Sequence, residues 1–213
     1  NGKILTLKKE TTYVNNHIFI PSGFNVKLFS GEEIILSNNS FIISESPFIA
    51  DGGKNDKDLP IKIIGKKNEK GGGIFIKNTS EKNIFKNVIL QNLYGNTQNQ
   101  LLSKYIIYGS LNFFNTVAYL ENVKITNIFS EDAINLVNTK FEIIDCNFDT
   151  ISSDAIDVDN GNGIINKLSA RFIANDALDF SESKVDISDL NFYDIGDKAI
   201  SAGENSIVKV GNV

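Results

Sequence analysis

Four segments in the C-terminal half carry acidic and amide side chains at matching positions. They are Glu131-Asp132-Ala133-Ile134-Asn135, Ser153-Asp154-Ala155-Ile156-Asp157, Asn175-Asp176-Ala177-Leu178-Asp179 and Asp197-Lys198-Ala199-Ile200-Ser201. Their alanines fall at 133, 155, 177 and 199, a step of 22 each time. One column therefore reads Gly109, Asp132, Asp154, Asp176, Lys198, and a second reads Asn112, Asn135, Asp157, Asp179, Ser201. Carboxylates stacked at a strand spacing of about 4.8 Å repel by roughly 1 kcal/mol in water and by several at a protein-like dielectric. Such a stack needs compensation, and three chemistries supply it. Raised pKa values would fit acid–base catalysis by Asp154 and Asp176 with Lys198 beside them. A bound cation would be held by Asp132, Asp154 and Asp176, and Ca²⁺ suits clustered carboxylates and Asn carbonyls. In the third case Lys198 closes the end of the ladder. The plain alternative is that these Asp residues stand along one outer face, bond nearby backbone N–H groups at turns and are otherwise solvated. Asn135, Asp157 and Asp179 are the accompanying binding positions.

Other reactive side chains are scarce. The basic residues are twenty Lys and one Arg, Arg171, and the only His is His17. Chemistry that needs a His base or an Arg clamp has little to draw on. Arg171 shares a column with Asp149 and Tyr193 and reads as a surface ion pair. His17, in Asn15-Asn16-His17-Ile18, reads as an exposed residue at a strand start. Cys146 falls in a column with Leu168 and Leu190, so it reads as a small buried hydrophobe. Gly71-Gly72-Gly73 lacks the Lys-Ser/Thr of a phosphate loop. Tyr94, Tyr105, Tyr108, Phe113 and Phe114 divide between core positions and a candidate sugar-stacking platform.

The elements that must position these residues follow from the same period. Phe141, Gly163 and Val185 form a column, as do Ile143, Ile165 and Ile187, and Ile151, Ile173 and Ile195. Tyr108–Thr116 is a degenerate earlier copy. Apolar residues alternate or run in short β-branched stretches, punctuated by Asn, Asp, Ser and Gly. No stretch keeps a 3.6-residue period. A unit of 22 residues with about three short strands is one coil of a parallel β-helix. The chain then holds about nine coils, roughly 40 Å of stack. In the N-terminal half, strands are expected at Lys3–Leu7, His17–Ile20, Asn25–Phe29, Glu33–Leu36, Phe41–Ile43, Ile61–Ile64, Ile74–Ile76 and Val88–Leu90. Asp51–Leu59, Lys66–Gly73 and Tyr94–Lys104 read as excursions from the coil. A catalytic ladder would need them to flank a groove along the Asp face. The expected organisation is one all-β domain over 1–213, with irregular coils to 96 and regular coils from 97.

Composition bounds the rest. The 213 residues are 41% hydrophobic and 22% charged, enough for a packed core and too apolar for disorder. No apolar run approaches the roughly 20 residues of a transmembrane helix. A net charge of −5 argues against nucleic acid as the main partner. One Cys excludes an internal disulfide. The chain lacks Met, so it reads as a processed or truncated piece. No cap is evident after Ile207–Val213, so further chain or another subunit is expected there.

Several segments also resemble a known module. They are Ile18-Phe19-Ile20-Pro21-Ser22-Gly23, Ser46-Pro47-Phe48-Ile49-Ala50, Pro60-Ile61-Lys62-Ile63, and the runs Glu131–Asn135, Ser153–Asp159, Asn175–Phe180 and Gly196–Glu204. They are similar to the right-handed parallel β-helix of pectate-lyase-like proteins. More narrowly, they resemble bacterial β-helix modules attached to spore-coat-H-like kinase proteins and to secreted or surface proteins. The resemblance implies a secreted or cell-surface location and leaves the activity open. Together with the scarcity of His and Arg and the missing cap it favours a non-catalytic role in glycan binding or structural presentation, with polysaccharide or a neighbouring subunit as partner. No cofactor is required on that reading. Asp154 and Asp176 on successive coils also resemble polygalacturonase-type hydrolases, although Asp197-Lys198-Ala199 stands where their His coil belongs. A Ca²⁺-dependent lyase with Lys198 as base, and a subunit that stacks end to end into a fibre, are the other two readings.

Overall fold

A computed structural model of the chain describes residues 3–6, 10–55, 57–95 and 107–211. The N-terminal strands are β1 (Lys3–Thr6), β2 (Thr11–Val14), β3 (Ile18–Ile20), β4 (Phe24–Phe29), β5 (Glu33–Leu36), β6 (Phe41–Ser44), β7 (Phe48–Asp51), β8 (Ile61–Gly65) and β9 (Gly73–Lys77). From β10 (Lys82–Gln91) the coils become regular. They run through β11 (Gly109–Phe114), β12 (Val117–Ile128), β13 (Asp132–Val137), β14 (Lys140–Ile151), β15 (Asp154–Asp159) and β16 (Asn162–Ile173). The last are β17 (Leu178–Ser181), β18 (Lys184–Ile195), β19 (Ser201–Ala202) and β20 (Ile207–Val210).

Strand pairing is parallel throughout. The long sheet has 12 strands, along β1-β4-β7-β10-β12-β14-β16-β18-β20 with β2-β5-β8 joining at β10. The short sheet has eight, in the order β3-β6-β9-β11-β13-β15-β17-β19. Every strand thus lies on its counterpart one coil away, and the protein is an all-β parallel β-solenoid of about 8 turns. The period in the sequence suggests nine. The coils differ in length: Asn122 sits over Asn87, 35 residues earlier, whereas Asn160 sits over Asn138, 22 residues earlier. The expected boundary at 96/97 and Tyr105 lie outside the described residues, as does most of Tyr94–Lys104.

Single left-handed residues make the corners. Asn138, Asp145 and Thr150 have φ of 48°, 53° and 61° within one coil. The same corners recur at Asn115, Asn122 and Asn127 before it, and at Asn160, Lys167 and Phe172 after it. Asn and Asp tolerate this region because their short side chains bond locally. The middle corner bends β12, β14, β16 and β18 without breaking their pairing, so one 12-residue strand serves two faces. A reading of about three short strands per repeat divides these stretches, and the left-handed Asn87 likewise hides the first half of β10; β2 and β7 are missed as well.

The expected columns form the core. Ile143 pairs in register with Ile165 and that with Ile187; Cys146, Leu168 and Leu190 do the same, as do Ile151, Ile173 and Ile195. Phe141 lies under Gly163, where a Cβ would come within 2.4 Å of the Phe141 carbonyl oxygen. Phe48 stacks on Phe85 at 5.5 Å, and Phe85 meets Phe113 edge-on at 5.8 Å. Among the described residues no buried side-chain N or O atom lacks a hydrogen-bond partner.

Candidate functional site

The acidic ladder opens the strands of the short sheet. Gly109 pairs with Asp132 and Asp132 with Asp154, as the 22-residue period requires. Asn112, Asn135, Asp157, Asp179 and Ser201 pair in turn, three residues further on. The columns are therefore real, but they are not the exposed outer ladder that the sequence suggests. Asp132, Asp154 and Asp176 are only 2%, 9% and 4% exposed. Asn135 is buried with them, Asp157 and Asp179 are half-buried, and the Lys198 side chain is exposed.

Donors reach these buried carboxyl groups. Asp154 Oδ1 accepts the Asp176 backbone N–H at 2.8 Å and the Asn175 Nδ2 at 2.6 Å. Asp176 Oδ1 accepts the Lys198 backbone N–H at 2.8 Å. Lys198 Nζ lies 3.5 Å from Asp176 Oδ2 and also pairs with Asp197. Asn135 Nδ2 bridges Asp132 Oδ2 at 3.1 Å and Asp157 Oδ2 at 3.0 Å. In the earlier coil Asn112 takes this place, accepting the Gly109 N–H and donating to the Gly109 and Ile74 carbonyls. Asp154 and Asp176 thus bond the next coil's backbone, whereas Asp132 and Asp157 bond the Asn135 amide between them.

The ladder's electrostatics follow from burial first and crowding second. Burial, with repulsion from Asp157, Asp154 and Glu131, pushes Asp132 up to about 8. Burial and the charges of Asp159, Asp179 and Asp154 push Asp157 up to about 7. Asp154 and Asp159 are also raised, chiefly by burial. Protonation and the Asn135 amide bridge thereby relieve the stack. Ca²⁺ would need six to eight oxygen ligands. Asp154 and Asp176 each commit an oxygen to a backbone N–H. No group of three or more His, Cys, Asp or Glu among the described residues is placed to hold a metal ion.

A catalytic ladder also needs the excursions beside it. The Asp51–Leu59 loop is tied to the long sheet instead: Asn87 Nδ2 donates to the Gly52 carbonyl at 3.0 Å, and Lys54 pairs with Glu121 at 2.5 Å. Lys66–Gly73 does lead into the short sheet, with the Gly72 N–H on the Ser40 carbonyl at 3.1 Å.

The remaining candidates take definite places. Arg171 pairs with Asp149 at 2.6 Å, and its guanidinium holds the Asp149 carboxyl below the usual range. Cys146 is buried and its thiol is pushed up to about 12. His17 is half-buried rather than exposed: its Nδ1 accepts the Phe41 N–H at 3.1 Å, and burial lowers its pKa. Phe113 is core, Tyr108 and Phe114 are exposed, and Tyr94 stacks on Phe129 at 4.5 Å.

Two open polar grooves lie away from the ladder, where the sequence raises no expectation of a site. One, of about 390 Å³, follows the corner at Asn115, Asn138 and Asn160. There Asn138 Nδ2 donates to Asn115 Oδ1 at 3.0 Å, and Asn115 Nδ2 to Asn78 Oδ1 at 3.0 Å. The repeated pairs Asn78-Thr79, Asn115-Thr116 and Asn138-Thr139 are its signature in the sequence. The other, of about 330 Å³, lies on the long sheet over Asn147, Ser169 and Asn191.

No family model and no curated protein matches the chain. Among solved structures it is similar to Pantoea stewartii WceF, described as a glycan biofilm modifying enzyme with a bacteriophage tailspike-like parallel β-helix fold. The identity is 13% and the TM-score 0.47, over 94% of this chain and 35% of that one. The chain thus spans about a third of that structure's length. Among the described residues no helix is long and apolar enough to cross a membrane.

Proposed function

We propose that the protein is a non-catalytic β-helix module, secreted or on the cell surface, that binds polysaccharide along its coils. The observation that carries this reading is a division of labour. Asp154 and Asp176, the pair best spaced for acid–base work, are buried acceptors for the next coil's backbone. The groove over Asn147, Ser169 and Asn191 mixes amides and a hydroxyl with Lys124, Asp145, Lys167 and Asp189, and the corner groove at Asn115, Asn138 and Asn160 carries mainly amides and hydroxyls that recur from coil to coil. Such groups can bond sugar hydroxyls as donors and acceptors at once. A repeat of about 4.8 Å along a rigid stack offers a polymer many equivalent contacts.

Electrophoresis through gels containing soluble polysaccharides tests the reading. At least one neutral or acidic polysaccharide should retard the protein and leave its own chain length unchanged. Equal mobility in every gel would overturn it.

A further inference from the structure

The outer face formed by the second halves of β14, β16 and β18 carries an arrangement unlike the rest of the surface. Its floor is the ladder Asn147, Ser169, Asn191, paired coil to coil beneath the 330 Å³ groove. Two residues further along each strand, about 6–7 Å away, stand Asp149, Arg171 and Tyr193. Beyond them the corner column reads Asn127, Thr150, Phe172, Asp194.

Phe172 and the β-branched Thr150 both depart from the Asn and Asp of that column, and Phe172 is the bulky one. It holds φ of 55°, a conformation that suits Asn and Asp and that a bulky side chain adopts only when something compensates. Burial does not compensate it, because Phe172 is 46% exposed. Its ring meets that of Tyr193, itself 67% exposed, edge-on at 5.8 Å and 88°. The Arg171 guanidinium lies 5.8 Å from the Phe172 ring centre while bonded to Asp149 at 2.6 Å. Two open aromatic faces therefore border a fixed donor–acceptor pair, and a polar ladder runs alongside.

We propose that this face is a binding site for a neutral oligosaccharide chain, an inference that rests on the binding-module reading above. A pyranose presents apolar C–H faces and hydroxyl edges. The C–H faces match Phe172 and Tyr193, and neighbouring hydroxyls match the Arg171–Asp149 pair. Asn147, Ser169 and Asn191 then take the hydroxyls of adjoining units. The charge balance favours neutral sugars: Arg171 is held by Asp149, Lys167 by Asp145 at 2.9 Å, Lys124 lines the groove together with Asp189, and the chain carries −5 overall.

Titration calorimetry of the full chain tests the site, with neutral hexasaccharides of glucose, mannose, xylose and galactose and a uronate hexamer as ligands. A neutral hexasaccharide should bind. Tyr193→Ala and Phe172→Asn should each weaken it about tenfold or more. Asn205→Gly, at a left-handed turn outside both grooves, should leave the affinity unchanged. Phe172→Asn restores the residue type of the corner, and Tyr193 is mostly solvent-exposed, so both variants should keep the wild-type melting temperature. Neutral binding that neither variant alters would overturn this site and leave the binding-module reading standing. Preference for the uronate hexamer would overturn the neutral class. No binding of any oligosaccharide, together with no retardation in the polysaccharide gels, would overturn both.

Discussion

Asp154 Oδ1 holds the backbone N–H of Asp176 one coil along, at 2.8 Å. Asp176 Oδ1 in turn holds the backbone N–H of Lys198, also at 2.8 Å. A carboxylate used this way is a splice between coils. Removing it leaves a buried donor without a partner, which costs about 1–3 kcal/mol. Asp154→Ala should therefore lower unfolding stability in urea by roughly that amount. Asp154→Asn keeps an acceptor oxygen and should cost less. Millimolar Ca²⁺ should leave the midpoints of the wild type and both variants where they were.

Stability should fall as pH rises. Asp132 and Asp157 are raised to about 8 and 7 in the folded chain, against an ordinary carboxylate value of 3.8. Between pH 4 and 8 the folded state therefore holds protons that the unfolded state has released. Unfolding free energy has a negative slope there. The stabilisation is complete below about pH 4 and is lost as pH rises through 7 and 8. Asp132→Asn cannot ionise and can still accept from Asn135. It should flatten the decline and gain about 1–3 kcal/mol at pH 8 over the wild type. Urea unfolding across that pH range reads both slopes.

Gly163 marks a place where the core admits no side chain. A Cβ there would sit 2.4 Å from the Phe141 backbone oxygen and 2.5 Å from its ring. The oxygen belongs to β14 and cannot move without breaking the ladder. Gly163→Ala should cost about 1–3 kcal/mol, read as a lower thermal midpoint. The double variant Phe141→Leu/Gly163→Ala should recover only part of it, because the backbone contact remains.

The left-handed corners make a separate prediction. Asn138 holds φ of 48° and bonds Asn115 across the coils. Asn138→Gly should be nearly neutral in stability, since Gly occupies this region freely. Asn138→Ala should lose about 1 kcal/mol. Equal losses for both would place the stabilisation in the amide ladder rather than in the backbone conformation.

The 22-residue period makes the coil, the core columns and the two polar columns legible in the amino-acid sequence alone. Ile143, Ile165 and Ile187 stack because burial on one face selects one register. The Arg171–Asp149 pair and the buried Cys146 are legible for the same reason. The ladder's burial is not. Spacing shows that Asp132 and Asp154 stack, but a column of Asp reads alike whether solvent or protein lies above it. The bend within β14 shows only as a one-residue slip in the alternation, from Phe141 and Ile143 to Cys146 and Phe148, while the register continues past Asp145. Phe172 gives no signal either, because an aromatic residue in a strand-rich sequence looks like core until its column is known.

The claim that the Asp ladder is architecture and the protein binds without cleaving is tested most directly by product release. The folded protein would be incubated with neutral and acidic polysaccharides, with and without Ca²⁺, beside Asp154→Asn and Asp176→Asn. The account predicts no new reducing ends and no unsaturated uronate from any of them, while the wild type still binds. Turnover by the wild type that either substitution abolishes would contradict it and make the ladder a catalytic site.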